Sequence, residues 1–247
     1  MRFSANLGFL WADLPLLDAI RAAKAAGFDA VEFHWPYETP AASVRATLEE
    51  TGLPALGLNT SKGGGNGLSA LPGRGAEARA AVDEAITYAR AIGAGAVHVM
   101  AGFAEGAEAD AAFRATLAYA CDTAPDLTIL IEPLNRYDAP GYFLTTTDQA
   151  MALIDAVGRR NLKLMFDCYH VQIMEGDLTR RLRDVWDKIG HIQFAGVPDR
   201  GPPDTGEVAY ARLLPAIAEM GWDAPLGAEY KPVGPTAETL DWMGLFR

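Results

Sequence analysis

From end to end the chain alternates short apolar strand patterns with amphipathic helical ones, and this alternation limits the fold more than any single motif does. Strand patterns fall at residues 3–6, 30–33, 55–59, 96–100, 127–132, 162–167, 189–194 and 225–229. Helical patterns lie between and after them, at 15–26, 41–51, 76–92, 111–121, 147–157, 178–188, 208–220 and 236–245. Local punctuation agrees. Pro15 opens the first helix and Gly27 follows its end, while Thr146 and Gln149 have the spacing of a capping box. Such strand–helix alternation implies a parallel sheet, and eight units imply closure into a (β/α)8 barrel, one domain over residues 1–247. A doubly wound open sheet is the competing arrangement, but no G-x-G-x-x-G opens a helix.

In such a barrel the strands end at one mouth, and several end on polar residues. Leu127–Ile131 is a greasy run that stops at Glu132, and Pro133 then ends the strand. A carboxylate there is costly to bury unless it is paired, protonated or bound to a metal. The sixth strand ends in Asp167, the seventh carries Gln193 near its end, and the eighth ends in Glu229. Oxygen donors on four consecutive strands suit a hard divalent cation, Mg²⁺ or Mn²⁺. An interior ion-pair network is the alternative, and it would need cations that these four positions do not supply.

Other residues are read beside this set. His170, three residues past Asp167, and Arg200, in the loop after the seventh strand, are candidates to touch substrate. Lys231 is either a substrate-carboxylate contact or a solvated loop lysine. His191 shares a face with Gln193, His98 reads as a core residue, and Glu32 reads as a structural partner at the barrel floor. Cys121 and Cys168 make neither a disulfide framework nor a zinc motif, and no histidine–cysteine constellation supports thiol catalysis. The glycine-rich stretch 60–74 lacks a P-loop ending and reads as a lid.

Composition removes several function classes. A net charge of −11 disfavours a nucleic-acid partner, yet a local basic pocket can still take a small anion. No apolar run approaches the roughly 20 residues of a membrane span, so no membrane partner is expected. The N-terminus enters a strand directly without a signal-peptide pattern, so the cytoplasm is the expected compartment. A homo-oligomer is compatible with this composition.

The blocks RFSANL (from Arg2), IEPLNRYDAPGYFLT (from Ile131), NLKLMFDCYHVQIMEGDL (from Asn161), DKIGHIQFAGVPDRGPPDTGEV (from Asp187) and GAEYKP (from Gly227) resemble the hydroxypyruvate isomerase family of the xylose-isomerase-like TIM barrels. The resemblance runs over nearly the whole chain. It implies that Glu132, Asp167, Gln193 and Glu229 are metal positions and that Glu132 and Glu229 are also the acid/base pair. The implied activity is aldose–ketose isomerisation of a small hydroxy-carbonyl acid or short sugar acid, with hydroxypyruvate and tartronate semialdehyde as the reference pair. Isomerisation of a 2-oxo-tetronate and 3-epimerisation of a ketose are alternatives. The related ketose epimerases carry histidine where this chain has Gln193. Metal-dependent endonucleases of the same superfamily hold zinc with many histidines, and this chain has four. The loop after Asn59 is shorter and richer in glycine than the isomerase pattern, which leaves substrate length open.

Overall fold

The computed structural model describes residues 1–63 and 65–246. Its eight strands are β1 (Phe3–Asn6), β2 (Ala30–Phe33), β3 (Ala55–Asn59), β4 (Ala96–His98), β5 (Thr128–Ile131), β6 (Leu162–Asp167), β7 (Ile189–Phe194) and β8 (Leu226–Ala228). Each pairs in parallel with the next, and β8 pairs back onto β1, so the barrel closes. The helices are α1 (Leu16–Ala25), α2 (Ala41–Thr51), α3 (Gly75–Ile92), α4 (Gly106–Thr123), α5 (Thr147–Val157), α6 (Cys168–Met174), α7 (Leu178–Asp184), α8 (Tyr210–Glu219) and α9 (Trp242–Phe246).

Period-2 alternation sorts each strand into an outer and an inner face. Outward residues such as Phe3, Val97, Ile129, Phe166 and Phe194 join the helices in one large core. Ring packing of Phe3 and Phe194 on Trp242 fastens α9 to the barrel wall. Inside the barrel the apolar filling is slight, a separate cluster of Ala96, Leu130 and Met165. Glycines and alanines around it, among them Gly57 and Gly190, leave a cavity of about 220 Å³ at the N-terminal end. No helix among the described residues is long and apolar enough to cross a membrane.

The boundaries differ from the sequence pattern where side chains intervene. Strands β5 and β8 stop one residue before their acids, so Glu132 and Glu229 begin the following loops. Helix α6 is unforeseen. The Asp167 carboxylate accepts from the Tyr169 N–H at 2.8 Å and caps it, so the chain turns directly from strand to helix. The pattern over 178–188 divides into α7 and a 3₁₀ turn at Trp186–Lys188, and that over 236–245 into a 3₁₀ turn and α9. The Thr146 cap forms as expected, accepting from the Gln149 N–H, while the Gln149 side chain reaches the N–H of Thr145.

Candidate metal and active site

The mouth of the barrel holds a cavity of about 260 Å³ lined by Glu132, His170, Arg200, Glu229, Lys231 and Phe9. Glu132, Asp167, Glu229 and Arg200 are all buried. No cation stands among the strand-end residues themselves, but one reaches them from a loop, which corrects the expectation that an ion-pair network has no cation to form on. The Arg200 guanidinium swings in from its loop, with Nη2 2.6 Å from Glu229 Oε2 and 3.4 Å from Asp167 Oδ2. It lies between the rings of Phe9 and Tyr169, each 4.9 Å from its centre. His34 Nε2 donates to the other Glu229 oxygen at 2.7 Å. An ion-pair network is therefore present, but it saturates one carboxylate and leaves another bare.

The two glutamates sit in opposed surroundings. Burial alone would raise the Glu229 carboxyl, but Arg200 and His34 outweigh it and hold it well below the usual carboxylate range. Glu132 has no such partner. Burial first, then the negative charges of Glu229 and Asp167, push it well above that range. Burial lifts Asp167 to about 7 against the pull of Arg200.

Glu132, Asp167 and His170 offer ligand atoms within 4.8 Å of one another. The hydrogen bonds of His170 qualify its part. The Asn135 backbone N–H donates to Nδ1 at 3.0 Å, so the neutral ring carries its proton on Nε2. That Nε2 is buried without a partner, 3.6 Å from Asp167 Oδ2 and 3.8 Å from Glu132 Oε1. Burial and then Arg200 lower its basicity well below the usual imidazole range, which keeps the ring a neutral donor. Glu132 Oε1 and Gln193 Oε1 are likewise buried without a partner among the described residues, and Gln193 is the register neighbour of Asp167. Buried oxygens without donors, beside acids, form a donor set suited to a hard divalent cation.

The sequence-derived residues are thus mostly brought together, with exceptions. Gln193 lies one layer lower than Glu229 and level with Asp167, where it also lines the lower cavity. Lys231 lines the mouth, its Nζ 5.9 Å from the Phe9 ring and without an ion-pair partner among the described residues. Glu32 is a structural partner inside the barrel, as its sequence position suggested, and it pairs with residues of β1 and β7.

A model of the xylose isomerase-like TIM barrel matches residues 20–244. A 2-oxo-tetronate isomerase of Cupriavidus necator is 44% identical over 98% of this chain and 97% of that protein. The hydroxypyruvate isomerase of Escherichia coli is 38% identical over 100% of both. The chain belongs to the hydroxypyruvate isomerase family of xylose isomerase-like TIM barrels. A solved structure from Brucella melitensis, named AP endonuclease, family 2, superposes with a TM-score of 0.96 at 37% identity, covering 100% of this chain and 99% of that one.

Within this isomerase-family barrel two residues escaped the sequence reading. His98 is not a satisfied core residue. Its Nδ1 meets Asn59 Oδ1 at 3.2 Å and Glu132 Oε2 at 3.7 Å, its Nε2 is unpartnered, and burial lowers its pKa to about 3. Asn135 orients His170 and went unremarked. Register supplies the missing signal, since His98 pairs with Leu130, two residues before Glu132 on the same inner face. In the glycine-rich stretch Gly67 bridges Ala101 and the Ala70 N–H donates to the Ala101 carbonyl, which ties this segment to the chain after β4. Gly67 has φ +106, and a Cβ there would meet the Met100 carbonyl oxygen at 2.2 Å, so only glycine fits. Gly64 lies outside the described residues.

Proposed function

We propose that the chain isomerises a small hydroxy-carbonyl acid, with hydroxypyruvate and tartronate semialdehyde as the reference pair, by proton transfer through an enediolate. The observation that carries this reading is the pair of buried glutamates facing one cavity in opposed surroundings, one saturated by Arg200 and His34, the other with a free oxygen. Pairs of titratable groups driven apart in this way divide the roles of base and acid. Glu229, kept ionised, takes the proton from one carbon of the substrate, and Glu132 returns one to the neighbouring carbon. The roles exchange in the reverse direction.

Glu132, Asp167, Gln193 and Glu229 would hold Mg²⁺ or Mn²⁺. Such a cation would draw electron density from adjacent carbonyl and hydroxyl oxygens and acidify the carbon between them. His170, with its proton on Nε2, donates to a substrate oxygen. Arg200 holds Glu229 in place and adds positive charge beside the developing enediolate. Lys231, free of ion pairs among the described residues, takes the substrate carboxylate, which favours an acid over a neutral ketose. The homologues' names support both the three-carbon acid and a 2-oxo-tetronate, the four-carbon variant of the same chemistry.

A panel of hydroxypyruvate, 2-oxo-tetronate and free ketoses, each assayed with Mn²⁺ and Mg²⁺, tests the reading. Isomerisation of an acid is expected, and turnover of neutral ketoses alone would overturn it. The name of the Brucella relative raises cleavage of abasic DNA as the second reading. The net charge of −11 and the four histidines speak against it.

A further inference from the structure

Glu32 lies on β2, and its carboxylate crosses the barrel interior into a notch made by Gly227. A Cβ at Gly227 would meet Glu32 Oε1 at 2.7 Å, Gln193 Cγ at 2.8 Å and Glu32 Oε2 at 2.8 Å, so the notch exists only because that residue is glycine. Three donors converge on Glu32 there. Gln193 Nε2 donates to Oε1 at 2.8 Å, Asn6 Nδ2 donates to the same oxygen at 3.1 Å, and His191 Nε2 lies 2.8 Å from Oε2. All four side chains are buried.

An amide has two chemically opposite ends, and an ionised carboxylate can only accept. Glu32 therefore selects one orientation of Gln193, with Nε2 toward itself and Oε1 turned away. Oε1 is the end left buried and unpartnered, and Gln193 stands beside Asp167 in the sheet. We propose that Glu32 is a positioning residue that fixes the Gln193 amide so that its oxygen, and not its NH₂, is presented to the divalent cation. The proposal rests on the reading of Gln193 as a metal ligand. With the amide free to flip, the cation would face two N–H donors in place of a lone pair. Residues that orient metal ligands in this way are worth about 10- to 100-fold in metal affinity.

The test is calorimetric titration of Mn²⁺ into chelator-stripped full-length protein, with thermal melts to establish folding. Glu32→Gln should weaken Mn²⁺ binding by about 10- to 100-fold when Gln193 is present. In the Gln193→Ala background the same change should cost no more than about threefold, because the two residues act as one unit. Gly227→Ala would displace the Glu32 carboxylate with its charge kept, but its Cβ would also press on Gln193 Cγ, so it is read beside Glu32→Asp. Glu32→Asp keeps the charge and withdraws the carboxylate from Gln193; it should weaken binding in the same way, and it carries the test if Glu32→Gln does not fold. Equal losses from Glu32→Gln in both backgrounds would mean that Glu32 acts through its charge, and would overturn the proposal. So would wild-type affinity in folded Glu32→Gln or Glu32→Asp while Gln193→Ala is weakened, an outcome that leaves the ligand reading intact. Wild-type affinity in Gln193→Ala would remove the ligand reading and the inference together.

Discussion

Arg200→Met removes a guanidinium that neutralises the acidic mouth. The side chain lies 2.6 Å from Glu229, 3.4 Å from Asp167 and 3.6 Å from Asp138, and its exposure is 9%. Removing one partner of a buried pair leaves an uncompensated charge, at a cost of about 3–5 kcal/mol. For a chain of this size each kcal/mol shifts Tm by about 2–4 °C, so the expected fall is about 6–20 °C. The sign with pH is also fixed. In the native protein the Glu229 carboxyl is depressed, so its contribution is present above the unfolded value of about 4.3 and is lost as pH falls through the folded value. Without Arg200, burial acts with less opposition, the folded pKa rises, and the deficit widens with pH by up to about 1.4 kcal/mol per unit for each proton involved. Scanning calorimetry in chelator from about pH 5 to 8 reads both effects. A melting temperature within about 2 °C of the parent across that range would refute the reasoning.

Glu132→Gln and Glu229→Gln should each lower turnover by at least about 100-fold, measured beside metal content so that loss of acid–base chemistry is separated from loss of binding. Lys231→Met should raise KM for hydroxypyruvate and leave kcat nearly unchanged, and a fall in kcat with unaltered KM would remove its carboxylate role. Exhaustive chelation should abolish activity and Mg²⁺ or Mn²⁺ restore it, so full activity in stripped protein would contradict the metal assignment. Burial pushes the Cys121 thiol up to about 12 and raises that of Cys168 well above the usual thiol range. Both should therefore stay unreactive to a disulfide reagent at about pH 8 until the protein is unfolded. Abasic-site DNA should remain uncleaved with Zn²⁺ or Mg²⁺.

The barrel was legible because a strand–helix repeat carries two periods that mark themselves locally. Strands β1, β2, β3, β6 and β7 and helix α2 have the bounds their patterns suggest. Glu132 and Asp167 stood out because an acid at the end of an apolar run breaks the pattern. Partnership was not legible, since it depends on how strands register around the barrel. His98 reads as a core residue until β4 is laid against β5, and Glu32 reads as a floor residue until Gly227 is seen to open its path to Gln193. Arg200 was visible as a loop cation, but its return to Glu229 spans 29 residues, and no local rule encodes such a contact. Helix α6 was hidden because Asp167 looked like a strand end, while its capping role depends on where the next N–H groups point.

The central claim is proton transfer by two carboxylates, and isomerisation in D₂O followed by NMR of the product tests it most directly. Glu132 and Glu229 face a cavity at the open mouth of the barrel, so a proton carried by either can exchange with solvent. The account predicts that the product of hydroxypyruvate isomerisation gains deuterium at the carbon that receives the proton. Complete retention of the substrate's own hydrogen would instead show a hydride shift between the carbons and would contradict the acid–base role of both glutamates.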